Sequence, residues 1–393
     1  MKAVMLAAGI GKRCYPLTLT RPKPLLKVAN KTIIEHNLEQ LGSLFDELII
    51  VIGYKGNMIQ KLIGQKPGIR IKYMEQLEQL GTGHALLQAK EHLKGNFIVF
   101  GGDDLFFKQD VRDLMKNKAP AIMCHDMEWP ENFGVIVEEK GILKNIVEKP
   151  SQFISHQVNT GMYLLSDSIF TILENIEQST RGEYEITDAI NILIEKEQVK
   201  VVRSDKWQPI GYPWHLLDAN KILLEGIKED IDGKVEKNVT IKSNVIIGKN
   251  TIVKSGSYIE GPVVIGENCA IGPNCFIRPN TSIGNNCRIG LSEIKNSIIM
   301  DNVTSKHFAY IGESIIGENV NIGAGSVIAD LRHDNTNVKS LYDEQLVDTY
   351  RRKFGAVIGD NTKLGINTSV YPGRKIWPDK VTSPGEIVKS DLL

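Results

Sequence analysis

The 393-residue chain has no surplus of either charge: 47 Lys and Arg stand against 47 Asp and Glu. Without a basic excess, net charge makes no case for a nucleic-acid or membrane-surface partner, although local cationic clusters remain open. It has few cysteines. Cys14, Cys124, Cys269, Cys275 and Cys287 are scattered, odd in number and lack a Cys-x-x-Cys pair. That pattern argues against a disulfide framework or a zinc site and for reduced cytosolic thiols. Long apolar runs are missing as well. The stretch from Ala3 to Ala8 is too short for a signal peptide, and no segment approaches the roughly 20 apolar residues of a membrane span. A soluble, cytoplasmic protein is therefore expected, with no membrane and no nucleic-acid partner. The length suffices for two domains, each with its own core.

Ala3–Ala8 does not alternate and is flanked by polar residues and Gly, so it reads as a buried strand. It breaks into Gly9-Ile10-Gly11-Lys12-Arg13, and Arg21-Pro22-Lys23-Pro24-Leu25 follows shortly after. Two glycines allow a tight turn whose N–H groups can gather around phosphate oxygens. Lys12, Arg13 and Lys23 add positive charge at the same mouth. Gly-x-Gly alone is a weak signal, which a plain tight turn also explains.

Strand and helix patterns then alternate. Ile33, Ile34, Leu38 and Leu41 have helical spacing, and Leu48–Gly53 reads as a strand. A helix around Gly56–Ile63, a strand at 69–74, a helix at 84–93 and a strand at 96–100 follow. This alternation predicts a doubly wound, Rossmann-like α/β domain with ligands outside the carboxyl ends of its strands. The Gly-x-Gly turn falls at such an end, as does Gly102-Asp103-Asp104. An Asp placed there suits magnesium coordination through oxygen, or alternatively caps the next helix. In Gln76–Ala85, a Gly81-Thr82-Gly83 turn opens a helix and offers free N–H groups, and the Gln side chains can read a base edge. His84 reads as a helix-start residue.

After a helical stretch at 216–229 the pattern changes. Val235, Ile241, Ile247, Val253, Ile259, Ile265, Ile271, Ile277, Ile283 and Ile289 stand six apart, and Asn or Gly fills the turns. The register loosens near 290–310, resumes at Ile316, Ile322 and Ile328, breaks, and returns at Ile358, Leu364, Val370 and Ile376. One inward aliphatic residue per six is the signature of a parallel β-helix. The expected division is 1–229 for the α/β domain and 230–393 for the coil.

These motifs resemble the sugar-nucleotide pyrophosphorylases, and over the whole chain the bifunctional sugar-1-phosphate nucleotidyltransferase/acetyltransferases, in a form closer to archaeal than bacterial ones. The resemblance implies that Leu6, Ala8, Gly9, Gly11, Gln76, Gly81 and Thr82 contact the nucleotide, and that Arg13 and Lys23 neutralise charge during transfer. It implies Asp103 as a magnesium ligand, and Gly134, Glu148, Lys149 and Asn159 as sugar contacts. It further implies a left-handed coil, commonly trimeric, with an acetyltransferase site. There His307 is the general base, since imidazole titrates where an amine must lose its proton. Arg278, Lys295, Tyr310, Asn321 and Lys339 would hold the acceptor, and Ala324 and Gly325 would lie against coenzyme A. The partners implied are UTP or dTTP, sugar-1-phosphates and acetyl-CoA, in a homotrimer or a multiple of three.

Two departures stand out. Relatives carry Trp-x-Asp-Ile-Gly, whose Asp is a second metal ligand; here Pro209 occupies that place in Trp207-Gln208-Pro209-Ile210-Gly211. Asp205 and Asp218 are candidate substitutes, or Asp103 and the triphosphate hold the metal alone. Asp330 stands where relatives have an Asn at the acetyl-transfer site. The function expected is N-acetylation of glucosamine-1-phosphate from acetyl-CoA followed by uridylyl transfer from UTP. Two alternatives remain open. One is a UDP- or dTDP-glucose pyrophosphorylase whose coil only assembles the oligomer; the other is a non-catalytic regulatory scaffold.

Overall fold

Strand β1 (Lys2–Ala7) lies inside a nine-stranded sheet, parallel to β2 (Glu47–Ile52) on one side and β4 (Asn96–Gly101) on the other. The computed structural model describes residues 1–64 and 68–393. Val4, Ile49, Val51 and Val99 point into one apolar layer, whereas Ala3, Met5, Leu48, Ile50, Ile98 and Phe100 point into another. Both faces are thus covered, so these strands show no polar alternation.

The remaining strands of the sheet are β3 (Arg70–Glu75), β5 (Ala121–Asp126), β6 (Gly134–Glu139), β7 (Ile142–Glu148), β8 (Gln157–Ser166) and β9 (Lys200–Arg203). Their order is β3-β2-β1-β4-β8-β5-β9-β7-β6. The first four are parallel, in the arrangement of a doubly wound half, and the strand order reverses beside β1. Beyond β4 the sheet becomes mixed, because β8 runs antiparallel to both β4 and β5. Helices α1 (Ile33–Leu41), α2 (Gly56–Ile63), α3 (Thr82–Leu87), α4 (Lys108–Met115), α5 (Ile169–Leu173) and α6 (Ile186–Ile194) cover its faces.

The sheet belongs to a unit made of Met1–Ile10, Pro22–Leu25 and Ile33–Pro209. A second unit comprises Gly11–Arg21, Leu26–Thr32 and Ile210–Leu393. It begins in the carboxyl half with α7 (His215–Leu224) and continues as three parallel sheets of eight, seven and eight strands. Each short strand pairs with the strand one coil later, as Val245 does with Val263, Ile252 with Ala270 and Thr240 with Tyr258. The six-residue row is the interior: Ile247, Val253, Ile259, Ile265, Ile271, Ile277 and Ile283 are fully buried. Val235, at the open end of the stack, stays partly exposed. Asn238, Asn250, Asn268, Asn274, Asn280 and Asn286 sit at corners with φ between 53° and 64°. Asn tolerates this left-handed conformation because its short amide bonds locally, which explains its recurrence in the turns.

The loosened register near 290 also has a local reason. Ile259 pairs with Ile277 eighteen residues on, but Ile277 pairs with Ile294 and Ile283 with Ile299, seventeen and sixteen residues on, so the coil shortens by one and then two residues while the stack continues. The later break is an antiparallel hairpin, Lys339–Tyr342 against Gln345–Asp348. Ile315 and Ile316 pair directly with Val357 and Ile358 across this insertion. Two amino-terminal segments pack on the coil within the same unit. Arg21 is ion-paired to Glu318 and Asp360, Lys27 to Asp301, and the Asn30 amide donates to the Ile283 carbonyl. Among the described residues no helix is long and apolar enough to cross a membrane.

Candidate functional sites

In the sheet unit, the carboxyl ends of β1 and β4 lie side by side: Leu6 is in register with Gly101, and the Gly102 N–H donates to the Leu6 carbonyl at 2.8 Å. Ala8 follows, its carbonyl accepting the Tyr54 N–H, and Gly9 is exposed. Asp103 emerges at the end of β4. Its carboxylate takes a 2.8 Å bond from the Lys23 ammonium, which also lies 3.8 Å from Asp104. Lys23 is 7% exposed, so the cation is held in place rather than swinging in solvent. Two of the charges expected at this mouth are thus paired.

Magnesium commonly takes one or two carboxylates and completes its shell with water and phosphate oxygens, and Asp103 with Asp104 fits that set. Pro209 follows the two-residue strand Trp207–Gln208, which pairs antiparallel with Leu105–Phe106. That register runs toward Asp104 and provides no side-chain oxygen at position 209. Of the substitutes considered, Asp218 is ion-paired to Arg351 within the coil unit, and Asp205 is exposed. Among the described residues no group of three or more His, Cys, Asp or Glu is arranged to hold a metal by itself.

Gln76 is 3% exposed. Its amide nitrogen donates to the Gly81 carbonyl at 3.1 Å and lies 3.0 Å from His84 Nδ1. Gln76 therefore builds the Gly81 turn. Gly81 has φ +109°, and a Cβ there would stand 2.5 Å from the Tyr184 carbonyl oxygen, so a side chain is excluded. The Thr82 hydroxyl accepts the Ile186 N–H at the start of α6, tying the turn to the segment 183–188.

Three of the four residues expected at a sugar converge. Gly134 is in register with Glu148, and a Cβ on Gly134 would meet Glu148 Oε2 at 2.8 Å and the Asn159 Cβ at 3.7 Å. The Asn159 amide donates to the Tyr163 hydroxyl at 2.7 Å. Lys149 is exposed on the strand end beside them, and its charge reaches Glu185. Sequence reasoning missed Arg181, which bonds Glu148 at 3.2 Å and also pairs with Glu185. It sits in a polar turn with no motif around it.

In the coil unit, Gly11 starts a short turn whose carbonyl accepts the Cys14 N–H and the Thr18 hydroxyl. Arg13, exposed on that turn, places its guanidinium 5.5 Å from the centre of the Tyr212 ring. Farther along the coil His307 is exposed at a corner, and its carbonyl accepts the Gly325 N–H at 3.0 Å. The Ala324 carbonyl accepts from Asn367, so both backbone groups also serve the stack. Asn321 points outward from its strand and Lys339 is exposed on the hairpin.

Arg278 pairs with Glu293 at 2.9 Å. Lys295 bonds Asp330 at 2.9 Å and Glu313 at 3.2 Å, and the Tyr310 hydroxyl lies 3.5 Å from Asp330. Burial pushes the Tyr310 phenol up, and Asp330 pushes it the same way. Glu313 is also held by Arg351 at 3.1 Å. Glu313 did not stand out in the sequence, because it simply follows a Gly in the coil.

Residues 2–226 match the family described as Nucleotidyl transferase, and residues 259–383 match one described as GMPPB C-terminal domain. A Methanocaldococcus jannaschii protein named bifunctional protein GlmU is 42% identical over 96% of this chain and 92% of its own length. A Sulfurisphaera tokodaii protein named bifunctional sugar-1-phosphate nucleotidylyltransferase/acetyltransferase is 39% identical over 100% of this chain and 98% of its own. Among solved structures, a putative glucose-1-phosphate thymidylyltransferase from Bacillus anthracis superposes with a TM-score of 0.53 at 26% identity. It covers 58% of this chain and 97% of its own.

Proposed function

The chain belongs to the nucleotidyl transferase family, in the two-part form of the archaeal GlmU-type proteins, and from that premise we propose that it makes UDP-N-acetylglucosamine in two steps. The coil transfers acetyl from acetyl-CoA to the amine of glucosamine-1-phosphate. The α/β domain then joins the product to UTP and releases pyrophosphate. The division of labour follows residues 1–229 and 230–393, and the coil is left-handed and assembles as a trimer.

In the acetyl step the amine nitrogen forms a bond to the thioester carbonyl carbon, the carbon–sulfur bond breaks, and CoA leaves as thiol. His307 accepts the proton that the amine sheds, which imidazole does well near neutrality. Arg278, Lys295, Tyr310, Asn321 and Lys339 orient the acceptor, and Ala324 and Gly325 border the thioester arm.

In the second step a sugar-phosphate oxygen attacks the α-phosphorus of UTP and pyrophosphate departs. The protein's contribution is positioning and charge. The backbone from Leu6 and Ala8 through Gly9 and Gly11 follows the phosphates, while Arg13 and Lys23 neutralise them. Gln76 keeps Gly81 and Thr82 in the shape that reads the base. Gly134, Glu148, Lys149 and Asn159 hold the sugar. Magnesium, held by Asp103 with Asp104 nearby, would supply further neutralisation of phosphate charge.

The observation that carries this reading is the pairing of full-length relatedness to two-activity proteins with an exposed His307 at a coil corner. One purified sample tests it. Free thiol should appear from acetyl-CoA with glucosamine-1-phosphate, and pyrophosphate from UTP, Mg2+ and N-acetylglucosamine-1-phosphate. Pyrophosphate without thiol would leave the coil as an assembly platform only.

A further inference from the structure

We propose that Tyr342, on the hairpin inserted into the coil, is a positioning residue for nucleotidyl transfer, seating Arg13 through the ring of Tyr212. The inference rests on the role of Arg13 given above. Arg13 is exposed, and a free arginine side chain samples many rotamers that must be frozen before it can meet a triphosphate. One flat surface limits it: its guanidinium carbon stands 5.5 Å from the Tyr212 ring centre, a cation–π distance.

Tyr212 in turn is confined by three rings. Trp214 stacks on it at 4.5 Å with the planes 6° apart, and His215 meets it edge-on at 5.9 Å. Tyr342 closes the third side, edge-on at 5.7 Å and 83°. Trp214 is 2% exposed and packs edge-on against Phe354, so the base of this stack is rigid.

Tyr342 is itself well anchored, although it projects from an insertion. The neighbouring Leu341 carbonyl accepts the ammonium of buried Lys375 at 2.6 Å, and the Lys339 carbonyl accepts from Arg374 at 3.0 Å. The Ser340 hydroxyl donates to the Gly373 carbonyl at 3.0 Å. Three consecutive residues of the strand are thus tied to the last coils before its final member reaches Tyr212. Burial pushes the Tyr342 phenol up, and the Arg13 charge is felt there in the opposite sense, which places the two within electrostatic reach.

Tyr342→Ala removes one wall of the Tyr212 seat without touching Arg13. Full-length Y342A should show a KM for UTP raised about tenfold, since affinity falls with the fraction of protein whose arginine is in place. Its KM for the sugar phosphate and its acetyl-transfer rate should be unchanged, which also reports that the variant is folded. Y342F keeps the ring edge and should restore the wild-type KM. In an R13A background, Y342A should add nothing. A wild-type KM for UTP in Y342A, or the full effect on top of R13A, overturns the inference alone. A wild-type protein that releases no pyrophosphate overturns the parent reading and this one with it.

Discussion

The Lys295 ammonium lies 2.9 Å from a carboxylate oxygen of Asp330, within an ionic cluster that continues through Glu313 to Arg351. Burial works against this cation, but hydrogen bonding and charge from Asp330 and Glu313 outweigh it and hold its pKa above the ordinary lysine value. The residue expected to meet a sugar phosphate is therefore already neutralised by a carboxylate. An anionic acceptor must compete with that carboxylate.

Removing the competitor should help. Asp330→Asn keeps the size and an acceptor oxygen but deletes one of the two negative charges on Lys295, leaving it paired to Glu313 alone. The kcat/KM for acetyl transfer to glucosamine-1-phosphate should rise about tenfold, through KM, as expected where one close charge pair is worth about 1.4 kcal/mol. Thiol release at several acceptor concentrations measures it, and a fall in kcat/KM would assign Asp330 a direct role in holding the acceptor.

Lys23 and Asp103 form the pair at the other mouth, and their variants should separate. Lys23→Met should lower the rate of pyrophosphate release about 100-fold, the loss typical of one preorganised charge partner. Asp103→Asn should instead raise the Mg2+ concentration giving half-maximal rate by about tenfold. Mg2+ titration of both variants distinguishes a phosphate-directed cation from a metal-directed carboxylate. Identical titration curves would contradict the assignment.

Arg21 bridges Glu318 and Asp360, and it is 8% exposed. Burial opposes its charge, but the two carboxylates hold its pKa above the usual arginine value. Arg21→Ala leaves Asp360 buried without its cation and should cost about 3 kcal/mol. Denaturant unfolding should show the loss. A change within about 0.5 kcal/mol, as on an ordinary surface, would mean that water replaces the pair.

Lys375 gives stability a pH slope of known sign. It is 2% exposed, and burial lowers its pKa below the ordinary value of 10.5. The folded chain therefore binds fewer protons than the unfolded one between the lowered value and 10.5. Stability from this group must then rise with pH across that window, because the cost of burying the cation disappears. Lys375→Met should flatten that contribution, as seen by comparing thermal unfolding of the two proteins between about pH 8 and pH 10.5.

Much of the architecture was legible in the residues. Ala3–Ala8 and Leu48–Ile52 read as buried strands because a sheet covered on both faces admits no alternation. The row from Ile247 to Ile289 announced a coil because each strand there spends one residue inward at a fixed period, and every one of those residues is aliphatic. The convergence of Gly134, Glu148 and Asn159 was anticipated only through resemblance. The register of β6 with β7, and the closeness of Asn159 to both, supply its physical basis. Tyr212, Tyr342, Arg181 and Glu313 carried no such sign, since a lone tyrosine or glutamate in a turn has no periodicity to betray it.

What the sequence determined by itself was everything set by neighbours along the chain: the strand periods, the left-handed Asn corners and the Gly-rich turns. These depend on backbone sterics and on which face of a short segment is apolar. Only the tertiary structure decided that Gly11–Arg21 packs in the same unit as the coil, with Arg21 on Asp360, and that Tyr342 reaches Tyr212 across more than a hundred residues. Such pairings are chosen by the fit and charge of surfaces that meet only once the chain has folded, so no local pattern encodes them.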